Sequence, residues 1–352
     1  MADSTMIPSD FVSVLRTPRA GLNSVLILVG PTASGKTEVS IRLAGELGAE
    51  IISADSRQLF KFMDIGTAKP SAAERARIKH HFVDELSPNE EMSAGEFGSR
   101  GREVIADIFR RGRIPLVVGG SGLYIRSLVD GLFEGPGADR EFRRILEDRW
   151  KAGGKKEILE ELRRVDPMSA DTIDPTKSRR VIRALEVYHI TGRPLSEHHK
   201  ENSIPPTMLP IVFGLEWERK ALYDRINRRC ADMLDRGFLD EVERLERMGY
   251  TEKLNALNTV GYKEAFAYRR GEIGYNEMLR LFQQNSRRYA KRQLTWFRAD
   301  ARIHWIRMNE TMSPADIAIP KVYAILSDVL PPIRTRHESS FFQADGIKPK
   351  GR

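Results

Sequence analysis

One cysteine in 352 residues, Cys230, removes two kinds of architecture at once. A lone thiol closes no intrachain disulfide and cannot hold a multi-cysteine zinc module. Its setting, Arg-Arg-Cys-Ala-Asp-Met-Leu on a helical pattern with no sequence-adjacent group to activate it, points to plain packing. Long apolar runs are missing too. No stretch approaches the roughly 18 residues of a membrane span, and Met1–Asn23 carries acids and prolines where a secretion signal has an apolar block. The expected location is the cytoplasm. No internal repeat stands out at solenoid periods. What remains is an ordinary globular composition, 41% hydrophobic and 30% charged, able to bury a large core in two domains or in one domain with an insertion. Lys and Arg number 57 against 49 Asp and Glu, and the resulting charge of +8 favours a polyanionic partner.

Among the features present, Gly30-Pro31-Thr32-Ala33-Ser34-Gly35-Lys36-Thr37 is the most specific short motif. It satisfies the P-loop pattern G-x-x-x-x-G-K-[ST] at every fixed position, after the strand-like run Val25–Val29 and before a helical pattern. Backbone N–H groups of such a loop wrap oxyanions, and the helix that follows adds its positive dipole end. Lys36 adds a charge, and the Thr37 hydroxyl can hold Mg²⁺. Read alone, the loop suggests ATP or another nucleotide.

The pattern around it alternates. Strands are expected at Val25–Val29, Glu50–Ser53 and Pro115–Val118, with helices at Lys36–Leu47 and Leu123–Leu128. Alternation of this kind predicts an α/β fold, a P-loop NTPase-like parallel sheet flanked by helices, with ligands outside the C-terminal strand ends. From residue 136 to 206 the chain turns helical and charge-rich, between Gly135-Pro136-Gly137 and Pro205-Pro206. That segment reads as an inserted all-helical domain, with helices in Arg140–Trp150, Lys155–Val165 and Arg179–Thr191. The core then comprises 24–135 and 207–330, with a strand at Pro210–Leu215, helices within Glu218–Met248, a helix over Tyr275–Arg298, a strand at Ile303–Ile306 and a last helix near Pro314–Leu330. Residues 1–23 and 331–352 read as flexible extensions.

Two further constellations carry chemistry. Asp55, in Ser53-Ala54-Asp55-Ser56-Arg57-Gln58, sits at a strand end beside the phosphate cradle. By its residue type it can partner Mg²⁺ with Thr37, act as a general base, or cap the next helix. Between Leu279 and Arg302, seven cations (Arg280, Arg287, Arg288, Lys291, Arg292, Arg298, Arg302) stand against Asp300 alone, with Tyr289, Trp296 and Phe297 interleaved. Arg288 and Arg292 lie one turn apart, as do Arg287 and Lys291, so two rows can track a phosphodiester backbone.

These pieces fall into blocks that resemble one family. GPTASGKT (30–37), ISADSRQ (52–58), MDIGTAKP (63–70), RIPLVVGGSGLY (113–124), RVIRALE (180–186), TVGYKE (259–264) and YAKRQLTWFR (289–298) look like the signature blocks of the bacterial tRNA dimethylallyltransferases. The likeness spans residues 25 to 310 in order. It implies transfer of a dimethylallyl group from dimethylallyl diphosphate to the exocyclic amine of the adenosine 3′ of the anticodon, with Mg²⁺ as cofactor. On that resemblance the P-loop grips a diphosphate leaving group. Asp55 is the base, Arg229 stabilises the diphosphate, and Ser121 stands near the substrate where the family often has Thr. The resemblance further implies tRNA contacts at Asp55, Ser56, Arg57, Gln58, Ser121, Arg143, Arg179, Arg180, Val181, Ile182 and Arg183. It implies them also along Asn258, Thr259, Val260, Gly261, Tyr262 and Lys263, and the cationic helix adds Arg288 and Arg292. The expected partners are the tRNA anticodon stem-loop and dimethylallyl diphosphate, with no membrane, for a monomeric enzyme. Two other readings of the residues stay open: a P-loop small-molecule kinase and a non-catalytic RNA-binding module.

Overall fold

The computed structural model describes residues 8–132, 135–201 and 207–330. Six strands, β1 Asn23–Val29, β2 Ala49–Ser53, β3 His80–His81, β4 Ile114–Gly119, β5 Met208–Glu216 and β6 Ile303–Arg307, form one sheet in the order β3-β2-β4-β1-β5-β6. Every pairing is parallel. Parallel strands need covered faces on both sides, which is why β1 reads as an uninterrupted apolar run. Its alternate residues divide between two cores: Leu26 and Leu28 face one, Val25, Ile27 and Val29 the other. Leu28 lies level with Val118 of β4 and Phe213 of β5, so β1 and β4 end together at Val29 and Gly119, level with Gly214 of β5, which runs on to Glu216. That shared edge positions the site.

The expected strands and long helices are present, with ends shifted by one or two residues. The segment Glu218–Met248 forms helices Arg219–Asp235 and Phe238–Arg247, divided at Gly237. The segment between β2 and β4 holds more structure than its periodicity suggested. Helix Ala94–Arg110 begins at Ser93, whose side chain accepts from Glu96 N, and buries Phe97, Ile105 and Ile108 on the sheet. The expectation of a flexible residue 1–23 extension is corrected from residue 8 onward. Residues Pro8–Arg16 form a helix that buries Phe11 and Leu15 completely, and Phe11 stacks on Tyr323 with ring centroids 5.2 Å apart. Two large side chains leaving water stabilise by about 1.5–3 kcal/mol each, enough to order one short amphipathic helix. The tail expected to be flexible, 331–352, lies outside the described residues.

The insertion contains helices Arg140–Lys151, Lys155–Val165, Pro167–Thr172, Ser178–Thr191 and Leu195–Glu201. They close over their own core of Leu146, Ile158, Leu162, Val181, Ile182, Ala184 and Leu185. Asp166, fully buried, ties three of them: it accepts from Ser169 N and Oγ (3.0 and 2.6 Å) and from Ser196 N and Oγ (3.0 and 2.6 Å).

Candidate active site

The C-terminal strand edge opens into a cavity of about 920 Å³. Its wall unites segments far apart in the chain: Thr32–Thr37, Asp55–Gln58, Gly66–Ala68, Arg225 and Arg229, Asn258–Val260 with Lys263, and Tyr289, Arg292 and Gln293. A loop that carries φ +63° at Ala33 and +94° at Gly35 is held from outside rather than by its own ladder. Trp217 Nε1 donates to Ser34 O at 3.0 Å and Arg225 Nε to Ala33 O at 2.9 Å, with the Arg225 guanidinium 4.2 Å from the Trp217 ring centroid. Gly35 has no room for a side chain, since a Cβ there would stand 2.5 Å from Pro314.

Gln293 is the tie that sequence reasoning missed. Its Oε1 accepts from Thr32 N at 2.8 Å and its Nε2 donates to Gly120 O at 3.0 Å, which staples the phosphate loop to the end of β4. The one available signal was a buried-face amide in an otherwise cationic helix, four residues after Tyr289.

Lys36 and Arg229 have no carboxylate within 4.0 Å among the described residues, whereas Arg228 pairs with Glu310 at 3.1 Å. Lys36 Nζ turns back on the loop, donating to Gly30 O and Pro31 O at 2.9 and 2.7 Å. Burial, aided by the positive Arg229 and partly offset by Asp55, brings its ammonium down to about 7. Burial also lowers Arg229, with Asp55 opposing. Burial pushes the Tyr289 hydroxyl up, and the Asp55 charge adds to that. Two cations whose charged forms are penalised by desolvation make a wall that gains from an anion. Asp55 itself is oriented through Oδ1, which accepts from Arg57 N at 2.9 Å.

The remaining expected residues divide clearly. Ser56, Arg57 and Gln58 line the cavity, although Arg57 also donates to Asn255 O at 2.7 Å, and Gln58 accepts from Ser53 Oγ at 3.0 Å. Ser121 is not in the wall: its Oγ accepts from Ser56 N at 3.0 Å and reaches Ser56 Oγ at 3.3 Å. Half-buried beside the cavity, Ser121 braces the Asp55 turn through Ser56. Asn258, Thr259, Val260 and Lys263 reach the cavity, whereas Gly261 N donates to Glu264 Oε2 at 2.7 Å and Tyr262 is fully buried. Tyr262 Oη donates to Glu241 Oε1 at 2.7 Å, and Glu241 also accepts from Asp64 N, Ile65 N and Gly66 N (2.8, 2.7 and 3.1 Å). Tyr262 is thereby a strut for the 64–66 loop, not an RNA contact.

In the insertion, Val181 and Ile182 are core residues and cannot meet RNA. Arg143 and Arg183 both clasp the fully buried Glu186, Arg143 at 2.7 Å and Arg183 at 2.5 Å. Arg179 and Arg180 stay exposed. Along the long helix and the turn that follows it, the seven-to-one imbalance shrinks in three dimensions. Arg280 pairs with Glu277 (2.6 Å), Arg298 with Glu216 (2.7 Å), and Arg302 with Asp130 (2.6 Å) and Asp300 (2.8 Å). Arg287 donates to Asn227 Oδ1 at 2.5 Å and lies 5.9 Å from the Tyr223 ring centroid. Among the described residues Arg288, Lys291 and Arg292 have no carboxylate within 4.0 Å, and all three are exposed. Cys230 is buried, with Sγ 3.6 Å from Ser286 Oγ, in keeping with packing.

A parallel α/β sheet with a P-loop at its C-terminal edge, opening beside a cationic helix, defines a P-loop-type enzyme fold. The family model described as IPP transferase matches residues 58–300, and the chain belongs to that family. It is 45% identical over 290 residues to tRNA dimethylallyltransferase 1 of Pelobacter propionicus, covering 82% of this chain and 94% of that one. Among solved structures, the full-length tRNA isopentenylpyrophosphate transferase of Bacillus halodurans superposes with a TM-score of 0.63 at 37% identity, over 87% of this chain and 96% of that chain. A eukaryotic dimethylallyltransferase acting on tRNA gives a TM-score of 0.76 at 28% identity, over 89% and 81%.

Proposed function

We propose that this chain transfers a dimethylallyl group from dimethylallyl diphosphate to the exocyclic amine of the adenosine adjacent to the 3′ side of a tRNA anticodon, releasing diphosphate. The observation that carries this reading is one cavity shared by a phosphate loop, a carboxylate and a cationic helix. The Thr32–Thr37 backbone, Lys36 and Arg229 hold the diphosphate and stabilise the charge that grows on it as the allylic carbon–oxygen bond breaks. The adenine amine is a weak nucleophile because its lone pair is delocalised into the ring. Asp55 accepts the proton it loses as the new carbon–nitrogen bond forms, an assistance typically worth about 10²–10⁴-fold. A loop nucleotide can reach that depth because unstacking an unpaired base costs less than opening a pair.

Mg²⁺ fits the residues present. No cluster of three or more His, Cys, Asp or Glu among the described residues could cage a metal, and Ser34 Oγ stays buried without a partner in the loop. Such a site suits an ion held by the Thr37 hydroxyl and substrate phosphates, with water in its other positions. When bound, the ion neutralises diphosphate charge. No helix among the described residues is long and apolar enough to cross a membrane, and a tRNA substrate agrees with a cytoplasmic setting.

Incubating the protein with unmodified tRNA and either labelled dimethylallyl diphosphate or γ-labelled ATP tests the assignment. Label enters tRNA from the allyl donor alone if it is right. Phosphate transfer from ATP would favour the kinase reading, and retention of tRNA with no transfer of either label would leave a binding module.

A further inference from the structure

The cavity-facing stripe of the helix Tyr275–Arg298 does not stop at the cavity. Phe282, Asn285, Tyr289 and Arg292 line the wall at spacings of three and four residues. The next position on that stripe is Trp296, one helical turn, about 5.4 Å, beyond Arg292. Trp296 does not line the cavity, and it is 37% exposed while its neighbour Phe297 is buried. One edge of the indole rests on Gly122, where a Cβ would stand 2.1 Å from Cδ1 and 2.2 Å from Nε1. Gly122 directly follows Ser121, whose hydroxyl holds Ser56 beside Asp55. The absence of a side chain at 122 thus seats a large aromatic against the segment that braces the Asp55 turn. Its surroundings are cationic: Arg288, Lys291 and Arg292 are exposed without carboxylate partners within 4.0 Å among the described residues, and the Arg292 guanidinium lies 5.6 Å from the Tyr289 ring centroid. An apolar protein partner would leave those cations unanswered. An unpaired nucleotide answers both features, because its base stacks on the indole and its phosphate meets the guanidinium groups.

We propose that Trp296 is a stacking platform for an unpaired base neighbouring the adenosine that enters the cavity. The inference rests on the RNA-modifying reading above and names the surface that keeps the rest of the loop in place while one base leaves the stack. It also explains why a residue of this size is exposed on the site-facing half of a helix where Phe282, Tyr289 and Phe297 are covered or line the site.

The test uses the full-length protein and an anticodon stem-loop RNA, with Trp296→Leu and Trp296→Phe. Leucine keeps apolar cover over Gly122 and has no π face; phenylalanine keeps both. Loss of one base–aromatic stack predicts that Trp296→Leu weakens RNA affinity by fluorescence anisotropy at least about fivefold, with Trp296→Phe recovering most of it. The KM for dimethylallyl diphosphate stays unchanged. Abasic substitution at each loop position in turn adds the decisive arm. At one position the wild type loses as much affinity as Trp296→Leu does, and the variant loses little more. RNA affinity of Trp296→Leu within twofold of wild type, or abasic penalties that add to the substitution at every position, overturns the proposal. Since binding is read directly, failure here is distinct from failure of the transfer reaction, which appears as no label in tRNA.

Discussion

Binding of a diphosphate to this protein should carry a proton with it, and Lys36 is the group that receives it. Burial and the nearby Arg229 hold the free ammonium down at about 7, against 10.5 for an ordinary lysine. In the ligand-free protein the lowered value penalises the charged form. Its cost to stability is full below about pH 7 and fades as pH rises from there toward 10.5. A diphosphate in the loop reverses the balance by favouring the ammonium. If the bound value returns to its ordinary range, proton uptake is roughly half a proton at pH 7 and about 0.9 at pH 8. The same linkage predicts that affinity falls by about 50-fold between pH 7 and 9. Calorimetry with inorganic diphosphate and excess Mg²⁺, in two buffers of different ionisation enthalpy, measures the uptake. Lys36→Met, studied at higher ligand concentration, supplies the reference, because diphosphate itself titrates in this range. Equal proton uptake by wild type and Lys36→Met would refute the reasoning, and so would identical pH dependence of their affinities.

Asp55→Ala should lower kcat by about 10²-fold or more while leaving RNA affinity nearly intact; a variant with normal kcat removes Asp55 from the role of base. Replacing Arg288 and Arg292 together by Ala should flatten the dependence of log affinity for RNA on log salt by about 1.4, at about 0.7 per single-strand contact. Arg280→Ala, whose side chain already pairs with Glu277, should leave that slope unchanged, so equal effects from the two changes would return the whole helix to a solvated face. Glu241, 1% exposed, accepts four hydrogen bonds, and Glu241→Ala strands three backbone donors and one hydroxyl. A loss of about 3–5 kcal/mol is expected in urea unfolding, together with faster amide exchange at Ile65 and Gly66; a loss under about 1 kcal/mol would mean that water replaces the carboxylate there.

The parts legible in the chain were those set by short-range rules. The P-loop is eight contiguous residues whose glycines and lysine serve local geometry, and β1 announces itself because a strand covered on both faces must be apolar throughout. Asp55 could be placed by its position at a strand end. Helices framed by strong periodicity, such as Tyr275–Arg298, were also readable, and so was the helical insertion. Less legible were elements whose reason for existing lies elsewhere. Helix Pro8–Arg16 is held by Phe11 and Leu15 against the distant Tyr323 side of the core, and nothing within nine residues states that a core is there.

Charge was the least legible property. Counting cations along one segment placed Arg298 and Arg302 with the RNA-facing set, yet Glu216 and Asp130, 82 and 172 residues away, neutralise them. Arg143 and Arg183 were carried to RNA with their block, while the fold uses them to satisfy Glu186 in the insertion's core. Coulomb attraction depends on distance in space, and a linear count has no access to it. By itself, then, the sequence determined that a phosphate cradle follows a buried strand with a carboxylate at the next strand end, since those are properties of adjacent residues. Tertiary structure alone decided which cations remain free for a polyanion, why Gln293 locks a loop 261 residues before it, and why Ser121 supports the site from behind, because each depends on which chain segments the sheet brings side by side.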